Sequence, residues 1–171
     1  MPPVLKVLKA YLILAGITVA GLVAWRIAAA YSWERLAEGD ETMVPTLRAG
    51  QIFRVDRTVG LEGLRRGSLV AYVKDPAHPD TVSVGRVVAL PGERVAIVKG
   101  QVQVNGEPLS DVLSDKPTDV EIPDLLVPRG QLFLLADCRS GWQFQADLRG
   151  DMDSRAFGPV SAGRLLGRVV L

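Results

Sequence analysis

The hydrophobic positions near the N-terminus form one continuous segment rather than an alternating pattern. The stretch Ala10–Trp25 (AYLILAGITVAGLVAW) contains no charged residue, and beyond Arg26 the apolar character continues to Tyr31. Crossing the hydrocarbon core of a bilayer takes about 20 residues, so residues 10–31 are long enough if the Arg26 side chain reaches the interface. The pattern therefore predicts a transmembrane anchor over 10–31, preceded by a short cytoplasmic segment, 1–9.

The residues around this segment bear on its orientation and on whether it is retained. Lys6 and Lys9 precede it, and this basic pair favours an N-terminus in the cytoplasm. The alternative is a cleavable signal peptide with Ala28–Ala30 as its small-residue cleavage site. We favour the retained anchor, because the apolar run is longer than an ordinary signal-peptide core. Both interpretations place residues 34–171 outside the cytoplasm, and the first makes the chain a single-pass protein of the cell membrane.

Beyond the predicted anchor, the pattern changes to short alternating or β-branched runs that end at Gly or Pro, which is typical of β-strands. Glu107–Pro128 lacks such a period and is predicted to be a loop or small excursion. No helical period persists, so the fold class is mainly β, with one β domain at 34–171 after one N-terminal transmembrane helix. The predicted strands are Gln51–Arg57, Ser68–Lys74, Thr81–Leu90, Arg94–Lys99, Gln101–Asn105, Gln131–Ala136 and Leu165–Leu171.

Composition excludes several classes of function. A chain of 171 residues suits one domain. Its 20 basic and 19 acidic residues include no Lys/Arg run, so we expect no nucleic-acid partner. One histidine, His78, and one cysteine, Cys138, are too few for an ordinary zinc site, and we expect neither a metal nor another cofactor. Cys138 has no histidine near it in sequence and is interpreted as a buried structural thiol rather than a nucleophile.

Three motifs carry the chemical interest, and each is also compatible with a purely structural role. The first, TMVPTL at Thr42–Leu47, reads as a turn that contains a proline. The second, GRVVALPGE at Gly85–Glu93, reads as a buried strand that ends in a Pro-Gly turn. The third, DSRAFGPV at Asp153–Val160, reads as an Asp–Arg ion pair that holds a loop.

In this order, and after an apolar N-terminal segment, the three motifs resemble those of the type I signal peptidase family. Members of that family read S-M-x-P-T-L, then K-R-V-x-x-L-P-G-D, then G-D-N-R-x-x-S-x-D-S-R-x-x-G. The stretches VQVNGEPL and VPRGQLFLLAD extend the resemblance over nearly the whole chain. It implies a signal-peptidase-like β-sheet domain on one membrane helix, and an endopeptidase that removes signal peptides from exported precursor proteins.

The resemblance also implies a mechanism. A serine attacks the scissile carbonyl, and a buried lysine, held neutral by its apolar surroundings, takes the proton from the serine. Such a lysine must lose about 3 or more pKa units through desolvation. Backbone N–H groups, aided by a nearby hydroxyl or a glycine turn, would stabilise the oxyanion. No cofactor takes part.

The matches to the family motifs are the residues that would shape the site, and the departures are those that would perform the chemistry. Thr42 stands at the nucleophile position and Gly85 at the position of the lysine base. Asp40 replaces a small or hydroxyl residue near the oxyanion site, and Asp151 replaces the serine that would help to position the lysine. The matching residues are Met43, Pro45, Thr46, Leu47, Arg86, Val87, Leu90, Pro91, Gly92, Asp153, Ser154, Arg155 and Gly158.

The two central departures weaken the implied mechanism to different degrees. Thr42 keeps a hydroxyl, but its β-methyl group crowds the attack and stiffens χ1. Gly85 has no side chain, and general-base assistance is typically worth about 10²–10⁴-fold in rate. We therefore favour a peptidase-like protein that is impaired or inactive by the Ser/Lys mechanism. Such a protein would serve as a module that binds signal-peptide segments or a membrane partner.

An active enzyme remains the alternative, provided that another residue supplies the base. Arg86 is excluded because a guanidinium does not lose its proton in proteins. The other candidates are Lys74, His78, and the two carboxylates Asp40 and Asp151. A third hypothesis, a soluble self-cleaving repressor-like protein that uses a Ser/Lys dyad, conflicts with the predicted anchor and with the DSRAFGPV motif.

Aromatic residues mark two candidate contacts with the bilayer, which we expect to be a partner of the chain. Trp25, Tyr31 and Trp33 suit an interfacial belt at the end of the anchor. Trp142 and Phe144 lie in the inserted GWQFQ stretch, which is either core packing or an interfacial foot.

Overall fold

A long N-terminal helix, α1 (Pro3–Ala30), opens the computed structural model, which describes residues 3–110, 118, 120–139 and 153–171. Its segment Val7–Ala30 has 24 residues with a mean hydropathy of 2.1, and none of the most apolar window is buried. A helix that is apolar on all sides and packs against nothing is typical of a membrane span. By length and composition, α1 supports association of the chain with a membrane. The helix ends one residue before the predicted boundary.

The strands of the domain form two antiparallel sheets. Within the described residues, seven strands lie in the order β1-β2-β11-β3-β4-β9-β10 and four in the order β7-β6-β5-β8. The fold class predicted from the sequence, mainly β after one N-terminal helix, is confirmed. The strands are β1 (Tyr31–Arg35), β2 (Ile52–Asp56), β3 (Leu69–Val73), β4 (Val82–Ala89), β5 (Arg94–Val98), β6 (Gln101–Val104), β7 (Glu107–Pro108), β8 (Ile122–Leu126), β9 (Gln131–Leu135), β10 (Val160–Ser161) and β11 (Leu165–Val170).

All seven predicted strands are present, each within about one residue of its predicted ends, but four strands were missed. One of them is β1, which contains Tyr31 and Trp33 of the predicted interfacial belt and pairs with β2 along its whole length. The predicted loop or excursion Glu107–Pro128 contains β7 and β8. Strand β8 (IPDLL) carries a proline and an irregular register against β5, so its local pattern does not alternate. A one-turn helix, α2 (Ser154–Phe157), and the short strand β10 lie between β9 and β11 in the chain.

Separate hydrophobic cores lie on the two sides of the larger sheet. One contains Met43 and Leu47 from the connection between β1 and β2, together with Val84 of β4. Another contains Tyr72 of β3 and Leu134 of β9. Because successive residues of a strand point to opposite faces, β4 contributes to both cores. The strand that begins the second motif is therefore an interior strand of the larger sheet, flanked by β3 and β9.

Candidate active site

The loop that carries the first motif is fixed by buried side chains and by two backbone contacts of Thr42. Met43 and Leu47 are fully buried, and the Val44–Pro45 peptide bond is cis. The carbonyl oxygen of Thr42 accepts a hydrogen bond from the Cys138 N–H at 2.8 Å. This bond joins the loop to the segment that follows β9. The Thr42 side chain is half-buried.

The backbone N–H of Thr42 is already engaged by an acidic side chain. It donates a hydrogen bond to Asp40 Oδ1 at 2.9 Å. This is the local turn in which an aspartate side chain accepts from the backbone two residues later. The structure therefore places a carboxylate oxygen directly on the amide of Thr42.

A buried ion pair joins the first motif to the second. The Arg86 guanidinium donates to both carboxylate oxygens of Asp137, at 2.7 Å from Nε and 2.6 Å from Nη2. The Arg86 side chain is 13% exposed and that of Asp137 is fully buried. The Thr46 hydroxyl also donates to Asp137, and Arg86 Nη1 donates to the carbonyl oxygen of Gly67 at 2.9 Å. The bidentate contact between Arg86 and Asp137 is the strongest form of Arg–carboxylate interaction.

The third motif braces the end of β9. Asp153 begins α2 by accepting from the Arg155 N–H, and its Oδ2 accepts from the Ala136 N–H at 2.8 Å. The Ser154 hydroxyl oxygen accepts from the Leu134 N–H at 3.0 Å. Arg155 forms an ion pair with Asp153 at 2.8 Å, with both side chains almost fully buried.

Two glycines of the motifs adopt the left-handed region that favours glycine. Gly92 (φ 84) follows Pro91 in the turn after β4, and its N–H donates to the Val127 carbonyl oxygen at 2.9 Å. Gly158 (φ 80) ends α2.

Gly85 lies in β4, on the side of the strand that faces Tyr72 and Leu134. A Cβ atom at this position would lie 3.1 Å from Cβ of Leu134 and 3.5 Å from Cε1 of Tyr72. The space beside position 85, which the sequence resemblance predicts as the position of a lysine base, is thus bordered at close contact by an aliphatic and an aromatic residue. No titratable side chain extends from position 85 itself.

Tyr72 is the polar residue next to Gly85, and its hydroxyl is isolated. The side chain is fully buried, and its Oη atom has no hydrogen-bond partner among the described residues. Burial raises the pKa of the Tyr72 phenol well above its ordinary value, and the negative charge of Asp153 adds to this effect. The phenol therefore stays neutral near pH 7, and a neutral phenol is a poor proton acceptor.

We expect Tyr72→Phe to stabilise the folded chain, because a buried hydroxyl without a partner costs about 1–3 kcal/mol. The free energy of unfolding, measured by denaturant titration in detergent, should rise by roughly that amount. Ser68→Ala is a suitable control, because the Ser68 hydroxyl accepts from the Arg65 N–H and its loss should lower stability. An unchanged or lower stability of Tyr72→Phe would show that the hydroxyl has a partner in solution.

Of the other side chains considered as a base, His78 and Lys74 have no described contact with Thr42, and Asp151 lies outside the described residues. His78 is 74% exposed, and its Nδ1 lies 2.7 Å from Asp75. Lys74 directly follows β3 and is half-buried. Asp151 lies outside the described residues, as do Trp142 and Phe144. Cys138, expected to be buried, is half-buried.

Sequence reasoning did not single out Tyr72 or Asp137. Asp137 ends the stretch VPRGQLFLLAD, which belongs to the resemblance, so a signal for it was present. Tyr72 had no such signal, because its contact with Gly85 arises from the pairing of β3 with β4. No group of side chains suitable for a metal ion occurs in the part of the chain that the structure describes.

Comparison with known proteins gives consistent results. A family model described as signal peptidase, peptidase S26, matches residues 6–171. The signal peptidase I of Leptolyngbya laminosa is 28% identical over 138 residues, which cover 77% of this chain and 64% of that protein. A probable signal peptidase I of Synechocystis is 37% identical over 112 residues, which cover 58% and 55%. The chain thus spans less than two thirds of the length of these relatives.

Among solved structures, a signal peptidase I of Enterococcus faecalis matches with a TM-score of 0.47 and 22% sequence identity. The match covers 63% of this chain and 97% of that one.

Proposed function

Because the chain belongs to the signal peptidase family, peptidase S26, we propose that it keeps the precursor-binding scaffold of that family without its Ser/Lys chemistry. In this proposal it is a membrane-anchored module that binds the signal-peptide region of exported precursors or a membrane partner. Residues 10–31 are the anchor, 1–9 lie in the cytoplasm, and the domain 34–171 lies on the outer side of the cell membrane.

The observation that carries this proposal is the packing at Gly85. Leu134 and Tyr72 approach position 85 closely enough to contact even a single added carbon atom. A base would have to enter this space from another element, and among the described residues the polar side chain within 4 Å of an added Cβ is that of Tyr72, whose phenol is neutral. Without an acceptor for its proton, the Thr42 hydroxyl is a weak nucleophile at neutral pH.

The contact between Asp40 and Thr42 is a second, independent obstacle. The family mechanism uses backbone N–H groups to stabilise the oxyanion, and the amide at the nucleophile position is a candidate for one of them. Here Asp40 Oδ1 occupies that amide at 2.9 Å. An oxyanion formed next to Thr42 would lose this donor and would face a like charge. Loss of one such donor typically costs about 10²–10³-fold in kcat.

The contacts that hold the loop in place support retention of the scaffold. Arg86, Asp137 and Thr46 tie the loop to β4 and to the segment after β9. Asp153 and Arg155 brace the same segment from the other side. These contacts position the loop whether or not a bond is cut, so they fit a binding role as well as a catalytic one.

A combined binding and cleavage assay tests this proposal. The full chain in lipid nanodiscs is mixed with a synthetic precursor peptide that carries a signal peptide and a photocrosslinker. We expect crosslinking to the domain without cleavage, and no difference in peptide turnover between the wild type and Thr42→Ala. Turnover by the wild type that disappears in Thr42→Ala would overturn the proposal that the chain does not cleave precursors. Absence of crosslinking would overturn the binding role.

The second candidate is an active peptidase in which Asp40 acts as the base for Thr42. It is favoured by the position of the Asp40 carboxylate next to Thr42, whose backbone N–H donates to Asp40 Oδ1 at 2.9 Å. In that case Asp40→Asn would abolish turnover, whereas a variant at an equally acidic but exposed position of the loop, Glu41→Gln, would not. If the chain is catalytically inactive, neither the wild type nor Asp40→Asn nor Glu41→Gln should show turnover.

A further inference from the structure

Strand β1 forms an open edge of the larger sheet. Within the described residues it pairs on one side with β2, and no strand pairs with its other side. Its pairing with β2 is continuous from Tyr31 to Arg35, without a bulge. An edge strand of this kind presents unpaired backbone N–H and C=O groups, which are a template for pairing with a strand of another chain.

The other edges of the two sheets are protected against such pairing. Strands β7 and β10, each at the end of a sheet, contain only two residues. Strand β8 carries Pro123 and an irregular register against β5. Very short strands, prolines and bulges are devices that prevent association between sheet edges. Among the edges that the structure describes, β1 is longer than β7 and β10 and has neither a proline nor a bulge.

The hydrogen bonds at the two ends of β1 show which of its backbone groups point to the open side. The Leu36 N–H donates to the Gln51 carbonyl oxygen at 3.0 Å, and the Arg57 N–H donates to the Ala30 carbonyl oxygen at 2.8 Å. Along an antiparallel strand, the backbone groups of successive residues point to opposite sides. The even-numbered residues of β1 therefore face β2, and the odd-numbered residues face the open side. These are Tyr31, Trp33 and Arg35.

The sequence of β1, YSWER, is complementary to itself when two copies pair in antiparallel around Trp33. Trp33 then lies opposite the partner's Trp33, and Tyr31 lies opposite the partner's Arg35. Because the backbone groups of these residues point to the open side, every such N–H of one chain donates to the other chain. Trp33 is 71% exposed and the Arg35 side chain is 61% exposed. Aromatic pairs and contacts between arginine and an aromatic ring are favourable across strands.

Ser32 gives an independent indication of the same partner. Its hydroxyl is buried and has no hydrogen-bond partner among the described residues, whereas buried hydroxyls normally have one. In the paired arrangement Ser32 lies opposite the partner's Glu34. This is a non-hydrogen-bonded pair, in which the Cα atoms are about 4.5 Å apart and the side chains are closest. The carboxylate of Glu34 would accept the hydrogen bond that Ser32 lacks within its own chain.

The position of β1 next to the anchor is compatible with this pairing. Helix α1 ends at Ala30, directly before β1, and in this register Ala30 lies opposite the partner's Leu36. At about 3.3 Å per residue, the ends of the two helices are roughly 20 Å apart, which is about two helix diameters. The two-fold axis is perpendicular to the sheets, so the same face of both copies lies on the same side and both anchors enter one membrane.

We propose that β1 pairs in antiparallel with β1 of a second copy of the chain, around a two-fold axis at Trp33, and joins the two larger sheets into one. Each copy contributes the same residues to the contact, so the assembly closes as a dimer. The dimer is independent of whether the chain binds or cleaves precursors, and its failure would leave the proposed function unaffected.

Cysteine crosslinking of the full chain in liposomes tests the register. Cys138→Ser removes the single native thiol. In this background Trp33→Cys places two thiols opposite each other, at a Cα separation of about 5.5 Å that a disulfide bridges. Arg35→Cys is the matched control on the same strand and face, because the two copies of position 35 lie roughly 14 Å apart. Under mild oxidation we expect covalent dimer to form about tenfold faster at position 33. Equal rates would overturn the register.

Matched substitutions at position 33 test whether backbone pairing holds the dimer. Trp33→Pro removes an N–H on the open side, where an edge strand tolerates proline, so β1 should still pair with β2. Trp33→Ala removes the indole but keeps the N–H. Förster energy transfer between donor- and acceptor-labelled copies in liposomes should be largely retained in Trp33→Ala. In Trp33→Pro it should fall to the level of random collisions at the same lipid ratio.

Two outcomes of the energy-transfer experiment would overturn the dimer. One is a wild-type signal no higher than random collisions produce. The other is equal transfer in the wild type and in Trp33→Pro, which would show that the copies associate through another surface. Thermal unfolding of each variant checks the fold, and Arg35→Pro, at another position on the open side, replaces Trp33→Pro if that variant unfolds.

Discussion

The triple variant Asp40→Ser, Thr42→Ser, Gly85→Lys is expected to cleave a precursor peptide that the wild-type chain leaves intact. In our proposal the site lacks a serine nucleophile, a lysine base and a free amide at position 42, and the three changes supply them. A lysine at position 85 would extend beside Leu134 and Tyr72, and these apolar surroundings would lower the pKa of its amine. Peptide turnover, followed by mass spectrometry with the full chain in nanodiscs, measures the effect.

Intermediate variants show which departure limits the chemistry most. The double variant Thr42→Ser, Gly85→Lys, which keeps Asp40, should be slower than the triple variant by about 10²–10³-fold. The reason is that the Asp40 carboxylate still accepts the hydrogen bond from the backbone N–H of residue 42. Replacing the new lysine by methionine in the triple variant is the matched control, since methionine has a similar length but no amine. Its rate should fall by about 10²–10⁴-fold.

This series needs a control for steric crowding at position 85, because a Cβ atom there would lie only 3.1 Å from Cβ of Leu134. Thermal unfolding of each variant would reveal a folding defect, and Leu134→Ala would provide room for the new side chain. A triple variant that folds, with or without this relief, and still cleaves no faster than its methionine control would contradict the assignment of Gly85 as the base position.

Asp137→Asn is expected to lower the free energy of unfolding by about 3–5 kcal/mol. The substitution removes the Asp137 charge from its buried ion pair with the Arg86 guanidinium, and loss of one partner of a buried ion pair costs about that much. It also weakens the hydrogen bonds of Arg86 and Thr46 at the same carboxylate. Because these contacts tie the first motif to β4, the loop around Thr42 should lose protection against hydrogen exchange.

Asp124→Asn is the matched control for this prediction. It breaks the pair between Asp124 and Arg94, in which both side chains are more than half exposed. Exposed pairs contribute about 0–1 kcal/mol, so its unfolding free energy should stay close to that of the wild type. Similar losses in the two variants would mean that the Arg86–Asp137 pair does not hold the site together.

The sequence predicted the sheet well because its strands depend on local patterns. Alternating and β-branched runs such as Gln51–Arg57 and Thr81–Leu90 are readable one strand at a time, and both appear in the structure within one residue at each end. Strand β1 was missed because its aromatic residues also suit a membrane interface. Strand β8 was missed because its proline and its bulged pairing with β5 hide the alternation.

The sequence by itself also predicted which residues depart from the family's Ser/Lys pattern. Thr42 and Gly85 stand in recognisable motifs, so the departures from the Ser/Lys pattern are visible without coordinates. The family membership implied by those motifs agrees with the family model that matches residues 6–171.

Only the tertiary structure decided which residues from distant strands contact Gly85 and Arg86 in the second motif. Tyr72 reaches Gly85 because β3 pairs with β4, and Arg86 reaches Asp137 because β4 pairs with β9. Such contacts follow from strand order and register, which join residues far apart in sequence, and local hydrophobic patterns do not encode which distant strands become neighbours.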